Sequence, residues 1–252
     1  MKNIFLTSVL AAGLFCSPVY AETLNVSVAV NFAKVLEDLG ADFKSKTGHE
    51  LKLSSGPTGK LYAQIVNGGP YDLFFAADVV KPQALVKDGL AVEGSYMLYA
   101  QGVLALWSPS LPVKEHYKTV LEKAEFNHLA IANPKVAPYG AEAIKVMQEL
   151  GVYDTVKPKV VNGESLAHAF QYVQTGNASL GFLALSQLVD PESPAFGKGQ
   201  YWLPPQEMYA HLDQAAVILK RAENNPAAAA FWAYMRSDDA RAIIQRYGYK
   251  TP

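Results

Sequence analysis

Four short segments offer neutral hydrogen-bond donors where an extended run would give way to a helix: Val30-Asn31-Phe32-Ala33, Pro57-Thr58-Gly59, Ala137-Pro138-Tyr139-Gly140-Ala141 and Gly163-Glu164-Ser165-Leu166-Ala167. The chemistry such starts could do is to hold an anion. The first turn of a helix has backbone N–H groups without intrahelical partners and carries the positive end of the peptide dipole, so an oxyanion is held there without a cationic side chain. Asn31 is a good N-cap whose amide can also donate, Thr58 is placed to cap the second helix, and Gly59 lets a ligand come close to the backbone. Singly, each start is what any capped helix would show. Together they point across one cleft, because ligands of open α/β sheets bind beyond the carboxyl ends of the strands.

Other chemistries find less support. The stretch Gly56 to Lys60 looks like a phosphate loop, but that motif needs four residues between its glycines and Ser or Thr after the lysine, whereas two intervene here and Leu61 follows. His49, His116, His128, His168 and His211 show no metal-ligand spacing, so no cation site is expected. Ser54, Ser55 and Ser165 lack a Gly-x-Ser-x-Gly turn, and a triad would have to be assembled from scattered residues. Asp72 and Asp78 could pair as acid and base in a secreted hydrolase, or could cap and brace the end of the strand at Phe74. No acid, base or nucleophile set converges, which argues against an enzyme. The aromatics Tyr96, Tyr99, Tyr201, Tyr209, Phe231, Tyr234 and Tyr247 read as core or hinge packing, with an aromatic-lined cleft for an organic ligand as the alternative.

The elements that must position these donors alternate short apolar runs with helical spacing. Leu24 to Val30 alternates like a strand, and Ala33, Leu36, Leu39 and Phe43 recur like one face of a helix. Further βα units follow at Leu51–Leu53 with Lys60–Val66, Leu73–Ala76 with Pro82–Asp88, Leu129–Ala132 with Ala141–Leu150, and Val160-Val161 with Leu166–Thr175. Successive βα units argue for parallel sheets covered by helices. Two long apolar runs, Leu98 to Trp107 and Met208 to Leu219, lie where the chain would pass between lobes. The expected organisation is lobe one from 22–102 and 211–252, and lobe two from 103–210. Two crossings make a cleft that closes on a small ligand by hinge motion.

The first residues have the form of a secretory signal peptide over 1–21: a charged start at Lys2, an apolar run from Ile4 to Cys16, and small residues ending at Ala21. Phe15 before Cys16 argues for ordinary cleavage over lipidation, and cleavage after Ala21 would remove the only cysteine. Roughly 230 residues remain, enough for one domain or two. The formal net charge is −1 with Lys and Arg scattered, so neither a nucleic-acid nor a polybasic membrane surface is expected.

Several motifs together resemble the periplasmic molybdate-binding proteins of bacterial ABC transporters. They are Val28-Ala29-Val30-Asn31-Phe32, the helix end from Phe43 to Gly48, Leu61-Tyr62-Ala63-Gln64-Ile65, and Gly69-Pro70 with Asp72-Leu73-Phe74-Phe75-Ala76-Ala77-Asp78. In the second half come Ala132-Asn133-Pro134, Pro138-Tyr139-Gly140, Leu180-Gly181 and the ending Arg246-Tyr247-Gly248-Tyr249. The resemblance covers essentially the whole chain after the leader. It implies an α/β, two-lobe periplasmic binding protein of type II, each lobe a mixed sheet flanked by helices, with two hinge crossings. It places the oxyanion contacts on Asn31, Thr58, Tyr139 and Leu166, the last two mainly through backbone N–H, in the subgroup with Asn in the first binding loop and Tyr in the third. Some members add a tyrosine hydroxyl in the strand after Leu180-Gly181, but Phe182-Leu183-Ala184 offers none here, and Pro57-Thr58-Gly59 has one hydroxyl where a Ser-Ser pair is usual.

The function implied is capture of molybdate in the periplasm by a monomer, for delivery to an ABC permease in the inner membrane, with no catalytic residue and no cofactor. Neutral donors suit that ligand: a fully deprotonated tetrahedral dianion only accepts hydrogen bonds, and a carboxylate would repel it. Sulfate is smaller, so a rigid cavity must reject it by size, while tungstate is nearly the same size as molybdate and is expected to bind comparably. The alternatives are a protein of the same fold for sulfate, phosphonate or a small organic ligand.

Overall fold

The computed structural model describes residues 21–252. The expected leader, apart from Ala21, and Cys16 with it, lie outside the described residues. In chain order the elements are β1 (Thr23–Ala29), a 3-10 turn (Val30–Phe32), α1 (Ala33–Thr47), β2 (Glu50–Gly56), α2 (Thr58–Val66), β3 (Leu73–Phe75), α3 (Val80–Lys87) and β4 (Met97–Gly102). After Val103 come β5 (Leu104–Ser108), α4 (Val113–Lys123), β6 (Leu129–Ala132), α5 (Pro138–Glu149), α6 (Tyr153–Val156), β7 (Val160–Gly163), α7 (Leu166–Gln174), β8 (Leu180–Ala184), α8 (Ser186–Val189) and β9 (Gln200–Trp202). The chain ends with β10 (Leu212–Ile218), α9 (Pro226–Tyr234) and α10 (Asp238–Arg246).

The strands form two five-stranded sheets, ordered β2-β1-β3-β10-β4 and β7-β6-β8-β5-β9. In the first, β1 runs parallel to β2 and β3, and β10 runs antiparallel to β3 and β4. In the second, β6 runs parallel to β7 and β8, and β5 runs antiparallel to β8 and β9. Both sheets are therefore mixed, as in a type II two-lobe binding protein, and not purely parallel as the βα succession alone suggests. Hydrophobic alternation carries no strand direction, and the odd strand in each sheet, β10 or β5, is the first one after a crossing. The run Leu98 to Trp107 is accordingly two strands in different sheets, parted at Val103.

Each sheet has its own core. Leu24, Val26 and Val28 of β1 lie fully buried beneath Val35, Leu36, Leu39 and Phe43 of α1, with Phe231 and Ile244 of the last two helices completing the layer. Capping favours those final helices: Asn225 accepts from the N–H groups of Ala227 and Ala228 with Pro226 in the first turn, and Ser237 accepts from Ala240. The second core gathers Leu104, Leu106, Leu129, Ile131, Val146 and Met147 between the second sheet and α5. What these layers position is the set of helix starts at the carboxyl ends of β2, β6 and β7.

Candidate functional site

Asn31, Thr58, Tyr139 and Leu166 all line one small cavity, together with Ala29, Val30, Gly56, Pro57, Ala77, Ala137 and Pro138. Thr58 is the first residue of α2, Tyr139 the second of α5, Leu166 the first of α7, and Asn31 the middle of the 3-10 turn. All four are buried, the most exposed at 4%. The backbone N–H groups of these four residues have no acceptor among the described residues. The Thr58 hydroxyl accepts from the Ala77 N–H at 3.0 Å, which leaves its own proton to give. The lining contains no carboxylate, lysine, arginine or histidine. The cavity is tight, at about 10 Å³, near the least that admits one water molecule.

Two capping expectations change in the structure. The N-cap of α2 is Pro57, with Thr58 one step inside the helix, because the Thr58 hydroxyl is drawn to the Ala77 N–H of the neighbouring strand end. Asn31 caps nothing: it sits within the 3-10 turn, and α1 begins without a side-chain cap. Its amide is spent on other partners, with Nδ2 donating to Gln214 Oε1 and to the Tyr249 hydroxyl, each at 2.9 Å. Of the four starts, only α7 has the expected kind of cap, where Ser165 Oγ accepts from the His168 N–H at 3.3 Å.

The cavity is shut by contacts between the two halves of the cleft. The Gly59 N–H donates to the Val136 carbonyl at 3.1 Å, and Lys60 Nζ meets Glu164 Oε2 at 3.2 Å, which draws the Glu164 carboxyl below its ordinary pKa. On the far side Lys34 of α1 pairs with Glu192 at 2.8 Å. Behind the cavity Ser186 Oγ donates to the Asn31 carbonyl at 3.0 Å, and the Tyr249 hydroxyl donates to the same oxygen at 2.6 Å. Burial pushes the Tyr249 hydroxyl up to about 12 and those of Tyr99 and Tyr139 well above the usual tyrosine range.

Residues 24–250 match the family model of the bacterial extracellular solute-binding proteins. The chain is 44% identical to the molybdate-binding protein ModA of Azotobacter vinelandii over 95% of its own length and 94% of that protein's. The chain belongs to the molybdate-binding proteins of this solute-binding family. A second such relative, ModA of Rhodobacter capsulatus, is 42% identical over 93% of this chain and 90% of its own. The solved periplasmic molybdate-binding protein of Azotobacter vinelandii superimposes with a TM-score of 0.85 at 39% identity, covering 91% of this chain and 99% of that one.

In this solute-binding protein Gln214 and Ser186, which sequence reasoning passed over, stand one layer behind the cavity with Tyr99, read there as packing, and Tyr249, read there as part of the C-terminal motif. Gln214 is wholly buried. A glutamine within the apolar run from Leu212 to Ile218 was its visible signal, since a buried amide needs partners. Phe182 to Ala184 do not line the cavity. Asp72 lies away from it, accepting from the Asn25 N–H at 2.8 Å and pairing with Arg221 at 3.1 Å. Asp78 accepts from the Lys81 N–H at 2.9 Å at the start of α3. Among the described residues no three His, Cys, Asp or Glu side chains gather as a metal site.

Proposed function

We propose that this protein captures molybdate in the periplasm and hands it to an ABC permease in the inner membrane. The observation that carries this reading is the meeting of three helix starts and a 3-10 turn around a small cavity lined without a charged side chain. Unpartnered N–H groups at Asn31, Thr58, Tyr139 and Leu166, with the Thr58 hydroxyl, form an all-donor shell for a tetrahedral dianion. A ligand that keeps a proton would need an acceptor there, so the shell disfavours protonated phosphate. The protein acts as a monomeric carrier without catalytic residues or cofactor, and tungstate, by its size, binds as molybdate does.

In this reading 22–102 with 211–252 and 103–210 are the two lobes, and they hinge about Val103 and 203–211. The leader at 1–21 directs export. Titration of the purified mature protein with molybdate, tungstate, sulfate and phosphate, followed by melting temperature and calorimetry, tests the reading. At a hundred times its Kd a ligand adds about 2.7 kcal/mol of stability. A shift with molybdate and tungstate only is the expected result; a shift with sulfate alone, or with none of the four ions, overturns it.

A further inference from the structure

We infer that Gln214, which does not line the cavity, is the strut that sets the cavity's width and with it the preference for a large tetrahedral oxyanion over a small one. The inference rests on the oxyanion reading above. Gln214 Oε1 accepts from Asn31 Nδ2 at 2.9 Å, and Gln214 Nε2 donates to the Tyr139 hydroxyl at 3.3 Å. Those two partners lie on opposite sides of the cleft, Asn31 after β1 of the first sheet and Tyr139 in α5 over the second. Each also has an unpartnered backbone N–H and lines the cavity. One buried amide thus spans the two donor groups from behind and fixes how closely they can approach.

The surroundings of Gln214 are built to hold it still. Its ladder with β4 shifts register between Gln214 and Ala215, so that Gln214 faces Ala100 while Ala215 faces Leu98. Tyr99 is the extra residue of that bulge, and its hydroxyl lies 2.9 Å from Gln214 Oε1 and 3.0 Å from the Ala76 carbonyl. At the first crossing, a Cβ on Gly102 would stand 2.0 Å from the Tyr139 hydroxyl oxygen and 2.6 Å from Gln214 Nε2, so only glycine leaves space for that bond. A buried amide with both ends satisfied is rigid, whereas a thioether of similar length in its place would leave Asn31 and Tyr139 free to shift toward a smaller ion.

The test compares wild type with Gln214→Met and Tyr139→Phe, which break the strut at its middle and at one end while keeping the backbone donors. Calorimetric Kd values for molybdate and sulfate are measured for each, with the melting temperature of the unliganded protein. The expected result is a fall of at least tenfold in the molybdate-to-sulfate preference in both variants, with the double variant no worse than either single one. Equal weakening of both ions, or an unchanged ratio, overturns the strut and makes Gln214 a packing residue. If Gln214→Met does not fold, Tyr139→Phe decides alone. Wild type that binds neither ion overturns the oxyanion reading itself and the strut with it.

Discussion

Thr58 takes a hydrogen bond from the Ala77 backbone N–H and keeps its own proton uncommitted, at 1% exposure and on the wall of the candidate anion cavity. One hydroxyl therefore serves the fold with its lone pair and leaves its proton for the proposed ligand.

Thr58→Val keeps the volume and removes both services. Leaving the Ala77 N–H unpaired in the interior costs about 1–3 kcal/mol, and loss of one hydrogen bond to a charged ligand costs a further 1.5–3 kcal/mol of binding, roughly tenfold or more in Kd. Thr58→Ser keeps the hydroxyl and is expected to retain most of both. Denaturant unfolding of the unliganded protein and calorimetry with molybdate separate the two losses.

Gly59→Ala acts on closure alone. The added Cβ would stand 3.3 Å from the Val136 Cα and carbonyl oxygen, both backbone atoms of the facing lobe. That crowding is expected to weaken molybdate binding by about 1–2 kcal/mol, near tenfold. The unliganded melting temperature should hold or rise, because alanine suits a helix better than glycine. A variant that melts lower without ligand, at unchanged affinity, contradicts this account of the closed contact.

Lys60 and Glu164 join across the mouth of the cleft with half or more of each side chain exposed. Pairs of that exposure contribute about 0–1 kcal/mol, so Lys60→Ala is expected to change the molybdate Kd by less than about fivefold, with the difference shrinking at high salt. Calorimetry at low and high ionic strength checks it; a loss of a hundredfold would mean that Lys60 reaches the ligand.

Alkaline stability follows from the buried tyrosines, among them Tyr99, Tyr139 and Tyr249 behind the cavity. In the unfolded chain a tyrosine ionises near 10, whereas burial raises Tyr99, Tyr139 and Tyr249 above that, the last to about 12. Above pH 10 the unfolded state binds fewer protons than the folded one, so the stability present below pH 10 is lost as pH rises through the folded values. Urea unfolding should give a flat free energy from pH 7 to about 9 and a decline beyond 10, with a shallower decline in Tyr249→Phe.

The elements were legible wherever pattern and packing agree. Leu129–Ala132 is the strand its apolar run indicates, and α1 buries the Leu36, Leu39 and Phe43 face that the spacing marks out. That the segments around Asn31, Thr58, Tyr139 and Leu166 face one cleft was legible from their place after strands, while the choice of those four residues came from the family resemblance. Strand direction was not: β5 and β10 run against their neighbours, and alternation is the same read either way. Nor was the destination of the Asn31 amide, since its partners Gln214 and Tyr249 lie 183 and 218 residues along the chain and come near only through the fold.

The placement of β10 between β3 and β4 imposes an order on synthesis. When residues 23–102 have left the ribosome, β3 and β4 still lack the strand that joins them, and it is made more than a hundred residues later. All five strands of the second sheet lie between those two events, so the sheet begun second is finished first. Until Leu212–Ile218 emerges, the facing edges of β3 and β4 stay unpaired, the state in which a chain is most open to mispairing with another strand and to capture by chaperones.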